Sequence, residues 1–252
     1  MRRTERMSQL LDRLLADGSL DVEELAKSFD VSCSTIRRDL SSLETQRLLV
    51  RTRGGAQTHS AFNDLPLRFK VGQMLDEKRR IARRARDLLG DARVVGMTGG
   101  TTTTEFARTL HDADDLTVVT NALNIAVDLL AARTLRVFIV GGEARNSSYE
   151  SVGPTAEDQL TGYNIDLAVL GVDGIDLRAG CTVYDSLGSR TTTALARQAR
   201  RTVVVADGSK IGKVAFATVF RLDQIDTLIT DRSAPEDSLD AIRGVLPQLV
   251  VV

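Results

Sequence analysis

Tryptophan is absent from this chain and other aromatics are scarce, three tyrosines and seven phenylalanines among 252 residues, so the core must be built from aliphatic side chains. Cysteine is nearly absent too. Cys33 and Cys181 lie far apart with no CxxC spacing, and the only histidines are His59 and His111, which argues against a disulfide framework, a metal cluster or a Ser/His/Asp catalytic set. No stretch approaches the roughly 18 consecutive apolar residues of a membrane span. The basic amino terminus also lacks an apolar signal core, so a cytoplasmic protein without membrane contact is expected. An excess of either charge is missing as well. With 33 Lys+Arg against 34 Asp+Glu the net charge is -1, and the overall balance says nothing about nucleic acid.

The distribution of charge does say something. Between residues 47 and 86 eleven basic residues face three acidic ones, a local excess of eight positive charges. Basic charge of this density is suited to phosphates. The length allows one large domain or a small one followed by a medium one.

The small one begins with residues 4 to 16, where Met7, Leu10, Leu11, Leu14 and Leu15 give the apolar face of a helix ended by Asp17-Gly18. A second helix follows in LDVEELAKSF. Asp21 caps it, and Val22, Leu25, Ala26 and Phe29 point inward. After the turn Asp30-Val31-Ser32, with Ser32 as cap, comes VSCSTIRRDLSSLETQRLLVRTRGGA. In it Ile36, Leu40 and Leu43 share one helical face, while Ser34, Arg38, Ser41 and Thr45 lie roughly opposite with Arg37 beside them. One face packs and the other is free to read. Small hydroxylated residues such as Ser32, Ser34, Thr35 and Ser41 let a helix enter the major groove, and Arg37 and Arg38 reach phosphates or grip guanine. Arg51 and Arg53 then flank Gly54-Gly55, a turn able to take positive φ and approach the sugar-phosphate backbone. The alternative for Arg37 and Arg38 is a solvated helix face. Asp39, near the packed face, is expected to pair with an arginine.

The segments VSCSTIRRDLSSLE and LLVRTRGGA resemble the amino-terminal signature of the DeoR family of bacterial transcriptional regulators. The match covers most of residues 4 to 56, and the resemblance implies a winged helix-turn-helix over 1–56 bound to double-stranded operator DNA. It departs at Arg47, where the family usually has glycine, and at Arg53, where histidine is usual. If residue 47 must be left-handed, a side chain there costs about 1 to 2 kcal/mol.

Residues 57–70, with Pro66 discouraging regular structure, read as a linker. A long basic helix follows over about Val71 to Leu89, packed through Met74, Leu75, Ile81, Ala82, Ala85, Leu88 and Leu89, its basic side solvated or touching phosphate. From there to residue 252 the runs RVVGM, LTVVT, LRVFIV, IDLAVLG, RTVVVAD and DTLIT alternate with helical stretches such as TTEFARTL and SRTTTALARQAR, and LVVV supplies a final edge strand. That alternation means an α/β domain with a parallel sheet covered on both faces. Residues 71–252 are expected to form it.

In such a sheet, ligands lie beyond the carboxyl ends of the strands. After RVVGM comes Thr98-Gly99-Gly100-Thr101-Thr102-Thr103, in which glycines, a helix start and hydroxyls combine into an oxyanion cradle. The other strands deliver Asn121, Gly141-Gly142, Asp173-Gly174 and Lys210 to the same rim. Taken singly, Asp173 also reads as a turn aspartate and Lys210 as a loop lysine. These segments resemble the DeoR sensor domain, whose fold is related to ribose-5-phosphate isomerases. By that resemblance Gly100 to Thr103 hold a phosphate, Lys210 neutralises it, and Asn121 and Asp173 meet sugar hydroxyls. Here the chain departs further: Thr98-Gly99 stands where the family usually has Asp-Ser, and Leu187-Gly188 and Thr191 stand where it often has Glu-Ala and a nearby lysine. A carboxylate and a cation are therefore expected to be missing from the pocket.

The expected function is a transcriptional regulator, by resemblance a repressor of carbohydrate uptake or catabolism genes relieved by a phosphorylated sugar. Recognition helices of this type usually act in pairs, so a homo-oligomer, dimer or tetramer, is expected. The competing reading is a sugar-phosphate isomerase with an accessory DNA-binding domain. DGIDLRAGCTVYD offers that reading its carboxylate but no glycine-rich lysine loop. A nicotinamide regulator needs GxGxxG after the first strand, which TGGTTTT does not provide, so no cofactor is expected.

Overall fold

A computed structural model describes residues 3–46, 48–57 and 65–252, without the side chains of Thr4, Leu15 and Ala16. Expectations for Leu15, Arg47 and His59 lie outside the described residues. The chain divides into two compact units, Met1–Gln73 and Met74–Val252.

The first unit runs α1 (Arg3–Asp17), β1 (Ser19–Asp21), α2 (Val22–Phe29), α3 (Cys33–Thr45), β2 (Val50–Thr52), β3 (Gly55–Gln57) and α4 (Leu67–Lys70). Its core is aliphatic. Leu10, Leu11, Leu14, Ile36, Leu40 and Leu43 are fully buried, the periodic faces of α1 and α3 meeting as their spacing requires. Asp21 caps α2 by accepting the amides of Glu23 and Glu24, and Asp30 ends it in the left-handed region at φ 51. The strand β1 is absent from the sequence reading. It pairs antiparallel with β3, which also pairs with β2, so the wing is a three-stranded sheet in the order β1-β3-β2.

The end of the expected linker is also regular. Pro66 stands just ahead of α4, where a residue without an N–H costs nothing, and Leu65 and Phe69 join the core of the first unit.

The second unit opens with α5 (Leu75–Asp87), then β4 (Val94–Met97), α6 (Thr101–Arg108), β5 (Leu116–Thr120), α7 (Leu123–Leu129), β6 (Leu135–Ile139), β7 (Glu143–Ala144), β8 (Ser151–Val152) and α8 (Pro154–Leu160). It continues with β9 (Ile165–Gly171), β10 (Gly174–Asp176), β11 (Gly180–Val183), α9 (Ser186–Arg197), β12 (Ala199–Val205), β13 (Ala217–Phe220), β14 (Thr227–Thr230), α10 (Glu236–Arg243) and β15 (Gln248–Val251). Seven strands form one parallel sheet in the order β15-β14-β12-β9-β4-β5-β6, and β15 is an edge as expected. Alternate residues of each strand serve opposite faces. Leu167 and Val169 pack with Ile81, Phe106 and Ile125 from α5, α6 and α7, while Ala168 and Leu170 pack with Leu160, Leu195 and Ile242 from α8, α9 and α10. Continuous apolar strands thus reflect burial on both sides. Two short antiparallel sheets, β7-β8 and β10-β11-β13, were not foreseen.

The basic helix differs from its expectation in two ways. It begins at Leu75 rather than Val71, because Met74 takes the left-handed conformation at φ 49 and breaks the helical path. Its basic side is also not simply solvated. Lys78 is only 3 % exposed and lies 3.8 Å from the buried Asp207, while Arg79 pairs with Glu105, Arg80 with Glu77 and Arg86 with Asp112.

Candidate functional sites

The first site is the reading face of α3. Ser32 caps the helix by accepting the Thr35 amide, and its hydroxyl lies 2.8 Å from that of Ser34 and 2.9 Å from that of Thr35, so three small hydroxyls gather at the helix start. Arg37, Arg38 and Ser41 are exposed. Beneath them Asp39 is 2 % exposed and accepts from Arg6 at 2.6 Å and Arg3 at 3.2 Å, the arginine partnership its position called for.

The wing divides its arginines between two tasks. Arg53 is exposed beside Gly54, which takes φ 97 in open space. Arg51 is half-buried, and its guanidinium donates to the carbonyls of Gly55 and Arg37, both at 3.1 Å, bracing the wing against α3. Gly55 likewise serves the fold. A Cβ there would fall 1.8 Å from the Leu20 carbonyl, so the close approach its glycine permits is to β1 within the unit. Cys33 is a half-buried free thiol at the head of α3.

The second site lies at the carboxyl ends of the parallel strands. Gly100, at φ 135, leads the chain from β4 into α6, whose start has no side-chain cap. The Thr103 and Thr104 hydroxyls donate back to the Gly100 carbonyl, and Thr98 is buried, accepting the amide of Gly171 from the end of β9. Thr101 is half-buried while Thr102 is nearly covered. Asp173 is half-buried after β9 and accepts the Tyr184 amide at 3.3 Å. Lys210 is half-buried, closing the one-turn helix Gly208–Lys210 that Asp207 caps.

Several expected residues have structural duties. Asn121 is 1 % exposed and donates its amide to the Ser151 carbonyl, leaving its own side-chain oxygen buried without a partner. The Gly141 amide goes to Gln159, and Gly142, at φ 149, lies where a Cβ would meet the Val152 carbonyl at 2.6 Å. Gly174 sits within β10, and a Cβ there would fall 2.4 Å from the Lys213 carbonyl. Among the described residues no hydrogen bond links Gly141 or Gly142 to the Thr98–Thr103 turn.

The missing charges are in fact present, brought by a loop that carried no motif. Glu150 accepts the Gly99 amide at 2.9 Å, and Arg145 lies 3.5 Å from Asp185. Burial pushes the Glu150 carboxyl above its ordinary range and nearby Asp173 adds to the push, against hydrogen bonds from Ser148 and Gly99 and the charge of Arg145. Elsewhere burial raises the Cys181 thiol to about 12, leaving it inert as a nucleophile. Among the described residues no group of His, Cys, Asp or Glu is arranged to hold a metal ion, and no helix is long and apolar enough to cross a membrane.

A winged helix-turn-helix with an exposed basic reading face, carried in one chain with a doubly wound α/β unit, defines a DNA-binding regulator. The chain belongs to the DeoR family: residues 6–62 match the DeoR-like helix-turn-helix domain and residues 73–232 the DeoR C terminal sensor domain. Among its relatives are the glycerol-3-phosphate regulon repressor of Escherichia coli (strain K12), 31% identical over 93% of each chain, and the HTH-type transcriptional repressor GlcR of Bacillus subtilis (strain 168), 32% identical over 92% of this chain and 90% of that one. The HTH-type transcriptional regulator GlpR of Haloferax volcanii is 34% identical over 95% of this chain and 94% of its own. A fainter likeness reaches ribose 5-phosphate isomerase A of Methanocaldococcus jannaschii, 17% identical with a TM-score of 0.41 over 55% of each chain, and no activity follows from it. The protein is a DNA-binding transcriptional regulator.

Proposed function

We propose that this regulator represses genes for the uptake or breakdown of a carbohydrate, and that a phosphorylated sugar metabolite bound in the second unit releases it from operator DNA. The observation that carries the reading is the Thr98–Thr103 turn, where a glycine at φ 135 opens an uncapped helix start beyond the end of a parallel strand. Thr101 and Thr102 supply amides and hydroxyls for a phosphate, Thr103 its amide while its hydroxyl stays on the Gly100 carbonyl, Lys210 the countercharge, and Asp173 an acceptor for sugar hydroxyls. Ser32, Ser34, Thr35, Arg37, Arg38, Ser41, Arg51 and Arg53 form the DNA face, Arg51 mainly by holding the wing in place. A relative named for the glycerol-3-phosphate regulon supports a phosphorylated polyol as the class of signal.

The working form is a homo-oligomer. Leu123, Val127 and Leu130 leave an exposed apolar face on and just beyond α7, beside Phe138 and Ile139 of the edge strand β6, which supports pairing with a second copy. Sedimentation of Val127→Asp as a smaller species than wild type is expected; an unchanged species sinks this placement.

The central test is an operator titration with and without ribose 5-phosphate, fructose 6-phosphate and glycerol 3-phosphate. Coupling of this kind weakens operator binding by about 1 to 3 kcal/mol. Lys210→Ala and Thr102→Val should bind operator as wild type does and lose the response. If both respond normally, the ligand site lies elsewhere.

A further inference from the structure

The hairpin β7-β8 carries Arg145 to Glu150 at its tip, and that tip is fixed in place. Within it the Arg145 amide donates to the Glu150 carbonyl and the Tyr149 amide to the Arg145 carbonyl, with Tyr149 held left-handed at φ 58. Against the end of β5, Ser151 and Asn121 exchange two hydrogen bonds of 2.8 and 3.0 Å, and the Leu123 amide donates to the Tyr149 carbonyl at 2.8 Å. The Glu150 side chain then lies directly over Gly99. A Cβ on Gly99 would meet its Cγ at 2.6 Å and its Cδ at 2.7 Å, so only glycine at 99 leaves room for it. One carboxylate oxygen is anchored on the Gly99 amide, immediately before the turn that leads into α6.

We propose that Glu150 is the residue by which this site discriminates its ligand, its carboxylate accepting hydrogen bonds from hydroxyl groups of a polyol phosphate. The proposal rests on the phosphate reading of the Thr98–Thr103 turn. An ionised carboxylate is an acceptor with about four lone-pair positions, of which the Gly99 amide and the Ser148 hydroxyl account for two. A bare anion arriving at the α6 amides meets the negative charges of Glu150 and Asp173. A ligand that places hydroxyls there turns the same oxygens into partners. Glu150 thus favours a polyol tail and disfavours inorganic phosphate, attraction and rejection coming from one group.

The test is calorimetric titration of the full-length protein with inorganic phosphate, glycerol 3-phosphate and ribose 5-phosphate. Glu150→Gln keeps the size and an acceptor for Gly99 but removes the charge. It should bind inorganic phosphate more tightly than wild type and bind the better polyol phosphate roughly tenfold or more weakly, the size expected for a hydrogen bond to a charged group. A loosened fold weakens both and does not produce opposite shifts. Gly99→Ala, which displaces the Glu150 side chain while leaving its charge, should also lose the polyol preference and serves if Glu150→Gln does not fold. If wild type prefers the polyol phosphate and Glu150→Gln keeps that ratio, Glu150 has no such role while the phosphate turn stands. If wild type binds none of the three, the phosphate reading fails and Glu150's role with it.

Discussion

The two units use charge in contrasting ways. In the first, Arg37, Arg38 and Arg53 are exposed, and Asp39, the one buried carboxylate among the described residues of that unit, serves the fold between Arg3 and Arg6. In the second, charges are partly or wholly withdrawn from solvent: Glu150 over Gly99, Arg145 on Asp185, Lys78 near Asp207. A surface meant for DNA gains from charges left in water until phosphates displace their counterions. A pocket meant for a small ligand gains from groups already desolvated and fixed, since their hydrogen bonds then discriminate. What a substitution does therefore depends on which unit it falls in.

The largest effect is expected at the buried charge of the DNA-binding unit. Asp39→Ala leaves Arg6 buried without its carboxylate, which costs about 3 to 5 kcal/mol. Denaturant unfolding should show it as an early transition accompanied by loss of operator binding. A normal unfolding curve would mean that Asp39 does not hold α1 to α3.

Exposed arginines should behave differently, changing binding without changing stability. Arg38→Ala should weaken operator binding by about 1 to 3 kcal/mol and relax preference at one position if it grips a base. Arg53→Ala should weaken all sequences alike and reduce the slope of log affinity against log salt by about 1. Arg51→Ala sharpens the contrast. Its hydrogen bonds lie within the protein, so it should lower the thermal stability of the wing and leave the salt slope nearly unchanged. If Arg51 and Arg53 give the same salt signature, the division of labour drawn between them is wrong.

The smallest effect concerns pH. The folded state holds the Glu150 carboxyl above its ordinary value of 4.5, so the stability tied to its neutral form is complete below that value and lost as pH rises through the raised one. Glu150→Gln removes the titration. Its melting temperature should match wild type near pH 4 and exceed it increasingly toward neutrality, and parallel curves across that range would show that burial does not penalise this carboxylate.

Much of the first unit was legible because its information is local. Ile36, Leu40 and Leu43 declare a packed face, Ser32 and Asp21 declare caps, and Asp39 among packed positions declares a need for arginine. The strand β1 was not legible, since Ser19–Asp21 is too short to show alternation and its partner Gly55–Gln57 lies far along the chain. In the second unit the strand runs announced a doubly covered sheet. Glu150 carried no local signal, because its importance comes from Gly99, 51 positions away. The only hint was a glycine where the resemblance led one to expect a side chain. Lys78 shows the opposite failure. It stands three, four and seven residues before Ile81, Ala82 and Ala85, on the stripe that packs, but its charge assigned it to solvent.

The strand order also governs how the chain comes together in time. Contacts of the wing and α1 to α3 close within the first 57 residues, whereas β4 waits for β9, beginning at Ile165, before its second edge is covered. Pairing over such separations is slow, and domains emerge from the ribosome amino terminus first. During synthesis the DNA-reading unit is thus complete while half of the sensor sheet is still unmade. A chain cut short before Ile165 would keep its reading helix but leave β4 with an open, apolar edge of the kind that aggregates.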